Sequence, residues 1–297
     1  MNKQRFVYNF IFAYFLTVIV YSQGTKNSVS NINLKQIALV NQTDSYVTFF
    51  DIGNLEPLIF EANISPSFVI RERKDSRLMG VLTAQIIIRM YNEESFPVRT
   101  PSYIPQITVY YSLGDKLNKN IVFGRIAHHS NGQDGNFYDE NGDINVISGN
   151  FSTNFFELGF IHTSISKKYN NVKFFQSSFE IHPKSWMAEE LRGLYSPVRW
   201  HNSFTAFKIP IGKSDTEKKA SISLKLDTIW MFGDVNNWNT FDYNRFNGSL
   251  TFYYHPNFLE DIGLFVNFYH GLDYYNIYFQ HQISVIRFGI MTDILSF

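Results

Sequence analysis

The feature that most constrains this chain is a repeated alternation of apolar and polar residues in short segments. After residue 22 no uncharged apolar stretch approaches 18 residues, the length at which a membrane-spanning helix becomes a candidate. Alternation with a period of two places successive side chains on opposite faces of an extended strand. The pattern therefore predicts an all-β protein and excludes a bundle of membrane-spanning helices.

Twelve such segments are separated by polar turns, and longer turns roughly alternate with shorter ones. They are approximately residues 58–73, 78–91, 106–112, 120–130, 151–163, 172–182, 198–209, 220–232, 246–254, 262–270, 274–280 and 283–292. Aromatic residues form 18 % of the chain, and outer-membrane barrels have even strand numbers and aromatic girdles. We predict a transmembrane antiparallel β-barrel of about 12 strands over residues 57–297. Composition alone leaves a soluble β-sandwich open.

The ends of the chain indicate export. Lys3 and Arg5 precede an uncharged run at residues 6–22, which is typical of a secretory signal peptide. We predict a signal peptide at residues 1–22, with a membrane anchor as the alternative, and an N-terminal periplasmic segment at residues 23–56. Phe297 matches the aromatic residue with which the last strand of an outer-membrane barrel commonly ends.

Composition removes several functional classes. Lys plus Arg and Asp plus Glu both number 26, so no net charge indicates a nucleic-acid partner. The absence of Cys excludes disulfides and thiolate metal sites. The eight His residues show no zinc-ligand spacing, and no Gly-rich phosphate loop is present.

Polar side chains with catalytic potential lie at the end of segment 120–130. Residues two apart on a strand share a face, so His128 and Ser130 lie opposite to Arg125. The charged Arg125 belongs in a polar lumen, which directs His128 and Ser130 outward. In segment 151–163 the same parity directs Asn154 outward and Glu157 inward. We therefore expect His128, Ser130 and Asn154 to lie together on the lipid-facing surface.

These residue types can form a hydrolytic site. A Ser hydroxyl is a weak nucleophile until an imidazole accepts its proton, and a third group must fix the tautomer of that imidazole. His128 is the candidate base, Ser130 the nucleophile and Asn154 the orienting group. The alternative is that residues 128–132 are only the polar tip of a hairpin, where Ser, Asn and Gly favour turns.

At these residues the sequence resembles the outer-membrane phospholipase A family of Gram-negative bacteria. The family motifs are His-x-Ser-Asn-Gly, an upstream Glu-Ser-x-Pro-x-Arg-x-x-x-Tyr-x-Pro-Gln and a downstream Ser-x-Asn. They are matched by His128, Ser130, Asn131 and Gly132, by Glu94, Ser95, Pro97, Arg99, Tyr103, Pro105 and Gln106, and by Ser152 and Asn154.

The resemblance implies a calcium-dependent phospholipase that hydrolyses acyl esters of membrane phospholipids as a homodimer in the outer membrane. It implies His128, Ser130 and Asn154 as the triad and the Gly132 N–H as an oxyanion donor, assisted by a calcium-bound water. The implied calcium ligands are the Gln133 carbonyl, a side chain at Asn150 and, from the second subunit, Ser95. It also implies that Gln85 lies at the dimer interface.

The chain departs from the family in the connection between its two catalytic strands. Asn154 lies 26 residues after His128, a much longer spacing than in the family. The added loop contains Asp134, Asp139 and Asp143, which either supply replacement oxygen ligands or belong to a solvated loop. A non-enzymatic outer-membrane barrel (a channel or an adhesin) and a secreted soluble β-rich binding protein are the alternative functions.

Overall fold

The computed structural model describes residues 34–70, 76–113, 120–166, 171–210, 220–256, 258–259 and 262–292. The predicted signal peptide and Phe297 lie outside these residues. Within the described ranges the chain forms one antiparallel sheet with a short helix and four 3-10 turns. None of the described helices is long and apolar enough to cross a membrane.

The elements follow one another in a simple order. They are α1 (Leu34–Val40), β1 (Tyr46–Ile52), β2 (Leu58–Ile64), β3 (Ser67–Ile70), β4 (Leu78–Tyr91), β5 (Ser102–Leu113), β6 (Asn120–Ser130), β7 (Ser152–Ser166), β8 (Asn171–Ile181), β9 (Val198–Pro210), β10 (Ser221–Phe232), β11 (Phe246–His255), β12 (Ile262–Leu272) and β13 (Gln282–Thr292), with 3-10 turns at Lys184–Trp186, Glu189–Leu191, Tyr243–Arg245 and Asn276–Tyr278.

The sheet closes into a barrel with twelve strand positions. Each strand from β4 to β12 pairs with the next one along the chain, β13 pairs with β1, and β1 pairs with β2. Strands β2 and β3 then pair end to end with different halves of β4. The break between them contains Pro66, which has no N–H to donate to a ladder. Because β2 and β3 share one position, thirteen strands form a closed 12-stranded barrel with one extra strand, and the predicted fold is confirmed.

The first strand lies where the sequence predicted a periplasmic segment. Strand β1 falls within residues 23–56, yet it pairs with β13 from Tyr46 opposite Met291 to Ile52 opposite Ile286. The pairing register shifts between Thr48 and Phe50, as in a β-bulge. Such an irregularity breaks the period-two alternation. The predicted barrel boundary at residue 57 is therefore wrong, and the sheet begins at Tyr46.

The predicted strand at residues 274–280 is also wrong. This stretch contains the 3-10 turn Asn276–Tyr278, and Asn276 has a φ of +23°, which a strand does not allow. Tyr275, Tyr278 and Phe279 are buried in a cluster of loop residues. The apparent alternation thus comes from aromatic residues that are buried in this cluster. The predicted number of twelve strands is still correct, because this false strand replaced β1, which was missed.

The two ends of the barrel differ. At the end that we call the loop end lie the connections 53–57, 92–101, 131–151, 182–197, 233–245 and 273–281. Aromatic and apolar residues of three of these loops pack together, among them Phe151, Tyr195 and Phe279. At the opposite end, the turn end, α1 packs through Leu34, Ile37 and other apolar side chains against inward residues of β4 to β8.

The interior of the barrel is polar and crowded. Arg89 is almost fully buried and bonds Glu61 and Asp273, each at 2.7 Å. Arg125 bonds Glu157 at 2.8 Å. The outer face carries exposed apolar side chains such as Ile126, which is 63 % exposed. This distribution reverses that of a water-soluble barrel and matches a polar lumen with an apolar outer belt.

Candidate functional site

Strands β6 and β7 place the predicted trio on the outer surface at the loop end. His128 lies directly opposite Asn154, and Ser130 lies opposite Ser152. Burial alternates along β6, so Ala127 and His129 are buried while His128 and Ser130 are partly exposed. The parity prediction is confirmed: Arg125 points inward and His128 and Ser130 point outward.

The His128 ring is bonded to the Asn154 amide. Nδ1 of His128 and Oδ1 of Asn154 are 2.9 Å apart, and Nδ2 of Asn154 donates to the carbonyl oxygen of Trp186 at 3.1 Å. A backbone carbonyl only accepts, so Trp186 fixes the amide with its oxygen toward the ring. The ring must then carry its proton on Nδ1, which leaves Nε2 free to accept a proton.

The loop segment that contains Trp186 is attached to β7 by backbone contacts. The Ala188 N–H donates to the Ser152 carbonyl at 3.0 Å, and Met187 forms a β-bridge with Thr153. On the lumen side the Thr153 hydroxyl and Nδ1 of His182 are 2.9 Å apart. The backbone on both sides of the Asn154 contact is therefore fixed by the 182–197 loop.

His182 has one assigned tautomer in this arrangement. Burial lowers its pKa, and its hydrogen bond to Glu180 opposes that effect. Nε2 of the neutral ring donates to the Glu180 carboxylate at 2.7 Å, because a carboxylate only accepts. Nδ1 then accepts from the Thr153 hydroxyl, so this buried chain of groups is fully paired.

Ser130 is the last residue of β6 and lies two residues from His128 on the same face. Two residues of strand span about 6.5 Å, which is within reach of rotated Ser and His side chains. Within the described part of the chain no hydrogen bond joins the Ser130 hydroxyl to the His128 ring. Catalytic hydrogen bonds are often loose before substrate binds, and rotation of the two side chains would be needed to join Ser130 to His128.

The residues after Ser130 form a tight turn held by Asn131. Gly132 has a φ of +66°, and a Cβ there would lie 3.2 Å from the Tyr103 ring, so the position favours glycine. The buried Asn131 amide accepts from the N–H groups of Gln133 and Phe151 and donates to the Gly149 carbonyl at 2.7 Å. No hydrogen bond among the described residues uses the Gly132 N–H, which leaves it available to an oxyanion.

The implied calcium ligands have oxygen donors at the loop end. Ser95 is exposed in the 92–101 loop and has a φ of +68°, and Gln133 is partly buried beside Asn131. Oδ1 of Asn150 is buried and has no hydrogen-bond partner. An unpartnered buried carbonyl oxygen fits a hard cation, which takes oxygen ligands.

Acidic residues contribute little to the candidate calcium ligands. Among the described residues no group of three or more His, Cys, Asp or Glu side chains could hold a metal ion. Oδ1 of Asp139 accepts from the N–H groups of Asn141 and Asp143, so this carboxylate stabilises a turn of the long loop. The fitting ligands are therefore neutral oxygens.

Gln85 does not lie where the resemblance implied. It is on the inward face of β4 and is 9 % exposed. Its Nε2 donates to Oδ1 of Asn63 at 3.0 Å, and its Oε1 accepts from Nε2 of Gln106. A residue that bonds lumen side chains cannot contact a second barrel across the outer surface, so the predicted dimer-interface role of Gln85 is wrong.

Two parts of the site were missed in the sequence. Asn131 was recognised only as a member of a motif, although its type and its place before Gly132 are typical of a side chain that bonds turn backbone. Trp186 acts through its carbonyl oxygen, which every residue possesses, so no sequence signal could have identified it.

The fold and these contacts define a class: a closed antiparallel barrel with a His–Asn pair and a Ser on its apolar outer surface. No known family profile and no curated protein matches the chain by sequence. The structure is similar to that of outer membrane phospholipase A from Escherichia coli, with a TM-score of 0.55 and 10 % identity over 90 % of this chain and 99 % of that one.

A second similar structure is the Salmonella typhi outer membrane phospholipase, solved as a dimer with bound calcium. Its TM-score is 0.52 and its identity 13 %, over 92 % of this chain and 96 % of that one. An active-site mutant of the Escherichia coli enzyme matches with a TM-score of 0.54 and 12 % identity over 91 % of this chain and 95 % of that one. These similarities show a shared barrel fold.

Proposed function

We propose that the chain is a calcium-dependent phospholipase of the outer membrane, which hydrolyses acyl esters of glycerophospholipids with Ser130, His128 and Asn154. The observation that carries this proposal is the 2.9 Å contact between His128 and Asn154 on the outer surface, beside Ser130. An ester that enters from a lipid leaflet approaches this surface directly. The similar structures carry the same kind of activity in their names, which supports the proposal.

In the proposed mechanism each group has one step. Ser130 Oγ attacks the ester carbonyl carbon while Nε2 of His128 takes its proton, and the proton then passes to the leaving lysolipid oxygen. Asn154 keeps the proton on Nδ1 and so keeps Nε2 available. The Gly132 N–H stabilises the oxyanion, and water repeats the sequence to release the fatty acid.

Gln133, Asn150 and Ser95 of a second subunit would hold calcium. The cation would supply positive charge close to the oxyanion. Because the ligands are neutral, they would not cancel that charge.

The proposed environment is the outer membrane, reached through a cleaved signal peptide at residues 1–22. The exposed apolar belt supports a lipid surrounding. A lone barrel leaves the trio open on its lipid side, so we propose a homodimer whose second subunit forms the missing wall and contributes Ser95.

A channel is the weaker alternative because the lumen is largely filled. Helix α1 packs inside the turn end, and the bonded charges of Arg89 and Arg125 occupy the interior. A cavity of about 220 Å³ is lined by residues that include Lys225, Asp227 and Arg287.

The test is fatty-acid release from phosphatidylethanolamine by purified protein, with calcium and with a chelator. We expect calcium to raise the rate of wild type strongly and Ser130→Ala to lose this calcium-dependent activity, while heat-modifiable gel migration shows both folded. Ser284→Ala is the matched control, because Ser284 also lies on the outer face at the loop end and bonds a His ring, that of His270. Full activity in Ser130→Ala, or none in wild type, would refute the proposal.

A further inference from the structure

The opposite end of the β6–β7 pair carries the same three residue types in the same arrangement. Asn120 is paired directly with His162, and Oδ1 of Asn120 lies 2.9 Å from Nδ1 of His162. Ser164 follows His162 by two residues on the same face, as Ser130 follows His128. All three residues are exposed or partly exposed on the outer surface.

A local two-fold axis relates the two trios. The same offset of 34 residues takes His128 to His162, Ser130 to Ser164 and Asn120 to Asn154. An antiparallel ladder has two-fold axes perpendicular to its plane, and the axis for this offset passes through the pair Gly124 and Leu158. The rotation keeps outward side chains outward. The backbone that presents Ser164, His162 and Asn120 is therefore equivalent to the backbone of the first trio.

The two trios lie at opposite rims of the apolar belt. They are eight residues apart on β6, which corresponds to about 27 Å along the strand. Because the strands of such barrels tilt by roughly 35–45°, this length spans roughly 20 Å of the roughly 25 Å height of the apolar band. The outward residues between them are apolar or Gly: Val122, Gly124 and Ile126 on β6, and Phe156, Leu158 and Phe160 on β7. Each trio would thus meet the ester region of one leaflet.

The second trio has a cationic neighbour. Lys173 on β8 is the direct cross-strand partner of Ser164, and directly opposed side chains have Cβ atoms about 5 Å apart. The Phe160 and Phe175 rings, 5.9 Å apart, lie on the belt side of this position. A lipid acyl chain would contact these rings while the Lys173 ammonium faces the ester or phosphate group.

We propose that Ser164, His162 and Asn120 form a second ester-hydrolysing site, which acts on lipid acyl esters at the turn-end rim. Ser164 Oγ forms a bond to the acyl carbon and its proton passes to Nε2 of His162. The bond to the lysolipid oxygen breaks, and that oxygen receives the proton. Water, with His162 again as base, then releases the fatty acid. Lys173 stabilises the oxyanion.

This second site is less well ordered than the first. Within the described residues no acceptor corresponding to the Trp186 carbonyl fixes the Asn120 amide, and no turn corresponding to Gly132 offers a free N–H. Loss of one oxyanion donor typically lowers kcat by about 10²–10³-fold, so we expect the second site to be slower than the first by about that factor. The proposal does not depend on Ser130 being active.

The test uses full-length protein in detergent with a medium-chain p-nitrophenyl ester and an excess of chelator. We expect Ser130→Ala to keep a slow activity above the blank, which Ser164→Ala or His162→Ala abolishes in that background. The matched control is Thr163→Val, which alters the lumen-facing residue between them and should leave the slow rate unchanged. Heat-modifiable migration verifies the fold of each variant.

Two results would overturn the proposal: Ser130→Ala at the level of the blank, or a residual rate that Ser164→Ala and His162→Ala do not change. If Ser130→Ala leaves the activity unchanged while Ser164→Ala lowers it, the result would support the second site and refute the role of Ser130.

Discussion

At the scale of single residues, the two adjacent His side chains have opposite environments. His128 is bonded to Asn154 on the outer face. His129 faces the lumen, where it bonds the Ser102 hydroxyl at 3.2 Å and packs edge-on against Phe151. The expected inward position of Arg125 was sufficient to predict the faces of both His side chains, because successive side chains of a regular strand point to opposite faces.

We therefore predict different results for the two alanine variants. His128→Ala should lower the calcium-dependent kcat by about 10³-fold or more, because loss of the base leaves Ser130 inactive. His129→Ala should retain substantial activity. The measurement is phospholipid hydrolysis with protein whose fold has been verified. An inactive His129→Ala beside an active His128→Ala would show that the register is wrong by one.

Asn154 should matter less than the base or the nucleophile. In the proposed triad it orients the His128 ring without supplying a charge. Asn154→Ala would remove this orientation alone, so we expect the rate to fall by about 10²-fold. Asn202→Ala, which changes another Asn on the outer surface that bonds a Ser, is the control. A defect equal to that of Ser130→Ala would show that orientation contributes more than argued, and wild-type activity would show that another group holds the ring.

At the scale of elements, the regular strands were predictable and the irregular ones were not. The segments of β4 and β6 to β13 alternate because one face meets apolar surroundings and the other meets a polar lumen. The bulge in β1 and the positive φ of Asn276 depend on tertiary contacts, which a local pattern does not contain. Gln85 could have been assigned from sequence: it shares a face with Arg89, and a charged residue on a barrel strand indicates the lumen.

The 131–151 loop gives an element-scale prediction. Asn131→Ala removes the partner of two N–H groups and one carbonyl, at about 1–3 kcal/mol for each group that stays buried. We expect the loop to become sensitive to protease and activity to fall by about tenfold or more, with the barrel still folded. Asn141→Ala, at the exposed tip of the same loop, should change neither. Unchanged proteolysis and activity in Asn131→Ala would show that the Asn131 side chain does not hold the loop in place.

At the scale of the whole molecule, buried ion pairs link distant parts of the chain. Arg89 on β4 joins Glu61 on β2 to Asp273 in the 273–281 loop. Removing one partner of a buried pair leaves uncompensated charge and costs about 3–5 kcal/mol. Arg89→Met should lower the free energy of unfolding, measured by urea titration in detergent, by about that amount. Arg192→Ala, which breaks an exposed pair with Glu189, should change stability by less than about 1 kcal/mol, and equal shifts in the two variants would contradict this account.

Calcium and dimerisation should be linked. An ion that binds only the dimer stabilises the dimer, so sedimentation in detergent should show dimer and activity rising together across a calcium titration. Ser95→Ala should shift both curves to higher calcium, while Ser76→Ala, at the turn end, should shift neither. A monomer that hydrolyses phospholipid at the full rate would contradict the homodimer.

Covalent labelling tests most directly whether the outward Ser130 is an activated nucleophile. Purified protein with calcium is treated with a fluorophosphonate, and the modified residue is identified by peptide mass spectrometry. We expect rapid modification of Ser130, which His128→Ala abolishes and His129→Ala does not. No modification of Ser130, or equal modification in the His128→Ala variant, would contradict it.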